Sequence, residues 1–138
     1  MIKNILKRYP FSLVIIVAII YLSLFKPSTD NIPTIPYWDK IVHFLMYAGF
    51  CVVLWFEYLR SHPRINRIKM VLGAIVAPIL FGGAMEIAQV LFTGHRSGDR
   101  YDFLFNTLGV LCALLFSIYV TRPFIDKYHL HKKENTKQ

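Results

Sequence analysis

The sequence predicts an all-α fold, an integral membrane bundle of four transmembrane helices with both termini in the cytoplasm. Three observations carry that prediction. Hydrophobic residues make up 55% of the 138-residue chain against 17% charged. Four apolar blocks hold almost none of that charge, whereas a soluble bundle would spread it along every helix to make a wet face. The Lys and Arg residues behind the net charge of +8 flank the blocks, where they serve as topology signals and headgroup contacts. They build no basic face, so no nucleic acid is expected as a partner. The whole of 1–138 reads as one domain.

The first block runs from Tyr9 to Phe25, after Lys3, Lys7 and Arg8. A basic start and an apolar run also describe a secretory signal. However, no small-x-small cleavage site follows Phe25, and three more blocks do. The segment therefore reads as an uncleaved helix, slightly short for a ~30 Å hydrocarbon layer. Pro27, Pro33 and Pro36 make the next connection extended, and Tyr37 and Trp38 close it as interfacial anchors. The second block is Ile41 to Leu59, the third Met70 to Phe92 and the fourth Phe103 to Val120. Pro78 inside the third is tolerated where neighbours satisfy the freed carbonyl. After Arg122-Pro123 the chain turns polar, and 123–138 reads as a frayed cytoplasmic tail. Cys51 and Cys112 lie inside apolar blocks without metal or redox spacing and read as packed thiols. Glu57, close to the basic second connection, is expected to snorkel and receives no function.

Lys and Arg alternate in number along the chain. There are three before the first block, four in the second connection and five in the tail, against two in each remaining connection. Excess positive charge stays inside, which directs both termini to the cytoplasm.

Polar residues gather at the opposite, outer end. Asp39, Lys40 and His43 stand where the second helix enters; Asp39 and His43, four apart, share a face that Tyr47 continues inward. Glu86 and Gln89 lie near the outer end of the third helix, with Gly82 one turn before Glu86 leaving room for a neighbour. Arg96 and Asp99 occupy the third connection. Asp102 and Asn106 line the fourth helix, ahead of a small-residue seam at Gly109 and Ala113. An ionisable group in hydrocarbon costs at least ~2.5 kcal/mol, and Glu86 lies six residues inside Phe92, roughly 9 Å below the helix end. It must be protonated, face water, or pair with His43, Lys40, Arg96 or Arg100.

Three readings fit those groups. In a binding or catalytic pocket, Arg96 as a fork and Lys40 as a point charge hold a phosphate or carboxylate. His43, its tautomer set by Asp39, moves a proton near neutral pH, with Glu86 and Asp102 as further acid/base candidates. Tyr47, Gln89, Asp99 and Asn106 complete the ligand shell. Alternatively, the set only locks the helices, Asp102 as a cap and Asn106 and Gln89 as interhelical hydrogen bonds. A third reading makes Glu86 the coupling carboxylate of a small proton-driven transporter or efflux subunit. A metal on His43 with Glu86, Asp99 and Asp102 is sterically conceivable, but one well-placed His without HExxH spacing predicts none. His95 reads as exposed. No cofactor is expected, and the absence of GxS-type and Walker sequences argues against covalent catalysis and ATP use.

Taken together, Asp39-Lys40-x-x-His43-Phe44-x-x-Tyr47, Glu86-x-x-Gln89 and Arg96-x-x-Asp99-x-x-Asp102-x-x-x-Asn106-x-x-Gly109 resemble the VanZ-like family. That family is named for an accessory membrane protein of glycopeptide-resistance clusters, associated with teicoplanin resistance. The resemblance covers roughly Trp38 to Leu115. Members often carry a proline between Gln89 and Arg96, where this chain reads Val-Leu-Phe-Thr-Gly-His, and Asp102 fits the family's aspartate-to-asparagine spacing better than Asp99. The resemblance implies a multi-pass protein of the bacterial cytoplasmic (inner) membrane, acting at its outer face in envelope physiology and antibiotic resistance. It implies membrane lipids, a lipid-linked cell-wall precursor or a glycopeptide as partners, leaves homo-oligomers open, and brings no settled mechanism.

Overall fold

The computed structural model describes residues 2–25, 37–62, 66–93 and 100–135, and all its regular elements are helices. The proline-rich first connection, His95, Arg96 and Asp99 lie outside the described residues. Helix α1, Ile2–Arg8, ends at Tyr9, and α2 runs Pro10–Leu24. Pro10 stands at the start of α2, where a missing N–H costs no intrahelical bond. Helix α3 is Trp38–Ser61. Two long composite helices follow. Helix α4 joins Arg67–Val71, a π turn at Leu72–Val76 and Ala77–Thr93, and α5 joins Arg100–Phe116, a π turn at Ser117–Thr121 and Arg122–Asn135.

Three helices are long and apolar enough to cross a membrane: α3, α4 over Arg67–Phe92, and α5 over Arg100–Leu130. The remaining expected span, α2, is apolar but has only 15 residues, about 22 Å of helix. The outward faces carry Val14, Leu80, Leu91, Phe92, Leu115 and Tyr119, each more than half exposed. Water would not tolerate so much apolar surface; the chain is built as a multi-pass membrane protein. Cys112 belongs to this outer surface. It is therefore not the packed thiol expected from its apolar block, whereas Cys51 is fully buried. An apolar block by itself does not tell the lipid-facing side from the core.

The two prolines inside long helices share one solution. Each follows a π turn by two residues: Val76 before Pro78, and Thr121 before Pro123. The widened turn takes up the missing hydrogen bond and the ring's bulk without breaking the helix. As a result α5 continues through Arg122-Pro123 to Asn135, so the polar segment expected to fray is helical to that point. Ile125, 3% exposed, anchors it to the core, and Nε2 of His129 lies 3.4 Å from the Leu59 carbonyl oxygen.

Packing fixes the directions. Helices α3 and α5 run parallel in their closest contact, at Gly109. A Cβ there would stand 2.5 Å from the Phe44 carbonyl oxygen and 3.0 Å from the Ala48 nitrogen, so only glycine lets the two backbones touch. Ala113, also fully buried, extends the seam. Helix α4 returns antiparallel beside them. A Cβ on Gly82 would meet the Tyr47 ring at 3.3 Å and the Asn106 side chain at 3.5 Å. Helix α2 is antiparallel to α3, its start at Glu57 and its end at Gln89. The core along this bundle includes Ile19, Tyr47, Phe50, Trp55, Met85 and Val110.

Candidate functional site

At the start of α3 and α5 and the end of α4, five polar side chains converge from three helices. Asn106 is at their centre, 1% exposed. Its Nδ2 donates to Glu86 Oε1 at 3.3 Å, which leaves its carbonyl Oδ1 facing His43 Nδ1 at 3.1 Å. An amide oxygen only accepts, so Nδ1 is the ring nitrogen that carries hydrogen. Asn106 therefore sets the tautomer of His43. The role expected of Asp39 passes to another helix, because Asp39 faces Lys40 at 3.4 Å and its side chain is 41% exposed.

The other ring nitrogen, Nε2, lies 3.7 Å from Asp102 Oδ2, while Nδ1 lies 3.8 Å from Glu86 Oε1. Lys40 Nζ stands 3.5 Å from Asp102 Oδ1. Both charged partners are largely enclosed, Lys40 with 13% and Asp102 with 6% of its side chain exposed. One ligand atom each from His43, Glu86 and Asp102 falls within 4.8 Å of the others. The helix spacings behind this are simple. His43 and Asp39 share a face of α3, Asn106 and Asp102 share a face of α5, and Gly82 clears the space one turn from Glu86.

The other sequence-selected residues fall around this centre. Tyr47 is buried at 1% exposure, its ring against Phe81 at 6.2 Å between centroids, and its hydroxyl makes no hydrogen bond among the described residues. Gln89 donates to the Ser23 carbonyl oxygen at 3.2 Å, tying the end of α2 to α4. A cavity of about 130 Å³ opens between these elements, lined by Leu22, Ser23, Asp39, Val42, His43, Met46 and Gln89. Arg96 and Asp99 belong to the undescribed connection.

Sequence reasoning misses Glu57. It does not snorkel: the residue is 4% exposed and accepts three hydrogen bonds at the start of α2. The donors are Phe11 N at 2.9 Å, Ser12 N at 3.1 Å and Ser12 Oγ at 2.6 Å. Tyr9 at the N-cap offers no side-chain bond, so a carboxylate from α3 does the capping and faces the positive end of the helix dipole. A signal existed, since Ser12 and Glu57 are polar residues at one depth in facing apolar blocks. An apolar groove of about 520 Å³ at this end, lined by Phe11, Phe56, Phe116 and Phe124 among others, offers no groups for chemistry.

Residues 2–121 match the VanZ/LLP1 family along nearly the whole chain. The chain belongs to that family. The VanZ/LLP1 match begins ahead of α2, so it includes the amino-terminal helices that the motifs from Trp38 onward did not reach. An uncharacterised protein of Schizosaccharomyces pombe is 25% identical over 121 residues, 87% of this VanZ/LLP1 chain and 70% of the relative. No solved structure matches.

Proposed function

We propose that this VanZ/LLP1 protein is a four-span protein of the bacterial inner membrane, with both termini inside. Its outward polar pocket binds or modifies an anionic lipid headgroup or a lipid-linked envelope precursor and so contributes to glycopeptide (teicoplanin) tolerance. One observation carries the reading: Lys40, His43, Glu86, Asp102 and Asn106 converge from three helices at one end of an otherwise apolar bundle. Burying that set costs several kcal/mol, and two bracing positions, Gln89 and Glu57, already join α2 to the other helices. A basic side chain inside the set suits a phosphate or carboxylate. The span count is supported by α2, which reaches from the depth of Glu57 to that of Gln89 beside α3. The count of basic residues supports the orientation.

The test is native mass spectrometry of protein extracted gently with its lipids, comparing wild type with Lys40→Ala and Arg96→Ala. A discrete anionic adduct held by wild type and lost from both variants supports the pocket. Equal adducts on all three sink it and leave the cluster as a lock between helices.

A further inference from the structure

We infer that the apolar groove at the Glu57 end of the bundle is a binding site for one anionic phospholipid, with an acyl chain in the groove and the phosphate held by Arg8, Arg60 and Lys127. The site lies at the opposite end from the outer pocket and does not depend on it. The proposed orientation enters only to place the lipid in the cytoplasmic leaflet.

The groove, about 520 Å³ in volume, has walls from α2 and α5 and a floor from α3. Helix α2 is held to α3 by the Glu57 bonds, and α5 is held to α3 along the seam at Gly109. The groove is the gap left between α2 and α5. Its wall residues Phe11, Val14, Phe116 and Phe124 are exposed, while Val52 and Phe56 of the floor are half-buried. It therefore opens sideways from helices of membrane-spanning length, where the surrounding medium is acyl chain. The π turn at Ser117–Thr121 supplies Val120 and Thr121 to the wall, so the widened turn that accommodates Pro123 also shapes the groove.

At its foot, each of the three helices carries a basic residue one turn beyond its last groove residue. On α3, Arg60 follows Val52 and Phe56 at intervals of four and shares their face. On α5, Lys127 follows Phe124 by three. Ahead of α2, Lys7 and Arg8 close α1 just before Phe11, and the Arg8 guanidinium lies 3.3 Å from Nε2 of His62, the residue that ends α3. Arg8, Arg60 and Lys127 are all exposed. One turn is about 5.4 Å, the step from the hydrocarbon edge into a headgroup layer about 5–8 Å deep. The acids beside these positions are engaged elsewhere: Glu57 caps α2, and Asp126 lies 3.9 Å from Arg122.

Charge selects the occupant. A second copy of the chain would bring the same cations to the same edge and meet repulsion, and a zwitterionic lipid would leave the cations uncompensated. A phosphate monoanion suits an arginine fork beside a lysine point charge, and basic pockets between membrane helices on the cytoplasmic side take headgroups of this kind.

The experiment is native mass spectrometry of the delipidated full chain in detergent, offered equal amounts of dioleoylphosphatidylglycerol and dioleoylphosphatidylcholine. Their acyl chains are identical. The expected result is one phosphatidylglycerol per chain that is retained over phosphatidylcholine and survives Lys40→Ala, a change at the other end. Arg60→Gln with Lys127→Gln should weaken it roughly 30-fold, about 5-fold for each charge removed, while the charge-preserving pair Arg60→Lys with Lys127→Arg keeps it. Val120→Trp, which fills the groove and leaves the cations in place, should also displace it, whereas free glycerol phosphate at the same concentration should not. Equal retention of the two lipids would overturn the site. So would an adduct lost with Lys40→Ala and indifferent to the Arg60 and Lys127 changes, which belongs to the outer pocket and leaves that reading standing. Displacement by free glycerol phosphate would reduce the site to an anion contact without acyl recognition. A lipid-free dimer abolished by Val120→Trp would give the groove to a second copy of the chain.

Discussion

Replacing Glu57 with alanine removes the capping carboxylate of α2 and leaves three donors behind. They are not equivalent. The bond from Phe11 N is only part-buried, so its loss adds less than the loss of a fully buried one. Ser12 is 1% exposed, and its N–H and hydroxyl, now 3.1 and 2.6 Å from the carboxylate, stay buried. A buried donor without a partner costs about 1–3 kcal/mol. Two of them cost about 2–6 kcal/mol, offset in part because a buried carboxylate no longer has to be desolvated. The expected loss is about 3 kcal/mol. Glu57→Gln should lose less, about 1 kcal/mol, because its oxygen still accepts from Ser12 while its NH2 turns toward the Phe11 N–H. The assay is reversible unfolding in mixed detergent and SDS micelles, read by the fluorescence of Trp55, which is 2% exposed on the same helix. Pairing Glu57→Ala with Ser12→Ala should give a non-additive result, since the two share one contact. A loss below about 0.5 kcal/mol for Glu57→Ala, the range of surface changes, would refute the cap.

Gly109→Ala should destabilise the bundle by about 1–3 kcal/mol, because its new methyl meets α3 backbone that cannot rotate away. Gly49→Ala is the control: nothing lies within 4 Å of its Cβ, so unfolding should shift by less than about 1 kcal/mol, in the stabilising direction. Gln89→Leu should cost about 1 kcal/mol and loosen the end of α2, measured as faster hydrogen exchange near Ser23 with α5 unaffected. In folded protein a membrane-soluble maleimide should label Cys112 and spare Cys51, while denaturation exposes both; equal labelling before denaturation would contradict the packing of α3.

The sequence alone determined the helical, membrane-spanning class and the block boundaries of α3 and α4 to within a few residues. Hydropathy and the 3.6-residue period are local properties, so they can be read without knowing a neighbour. His43, Asn106 and Glu86 were legible as members of one layer for the same reason. Their pairing was not. That Asn106 and not Asp39 meets the His43 ring depends on how α5 rotates against α3, and Gly109 decides that rotation by letting the backbones touch. Glu57 looked like a snorkelling side chain because its partner, the start of α2, is 45 residues away in sequence. The exposed side of Cys112 and the continuation of α5 past Pro123 depended likewise on helix rotation and on a π turn. Depth is written in each segment; azimuth is a property of the packed assembly, and the chemistry of a buried site is set by azimuth.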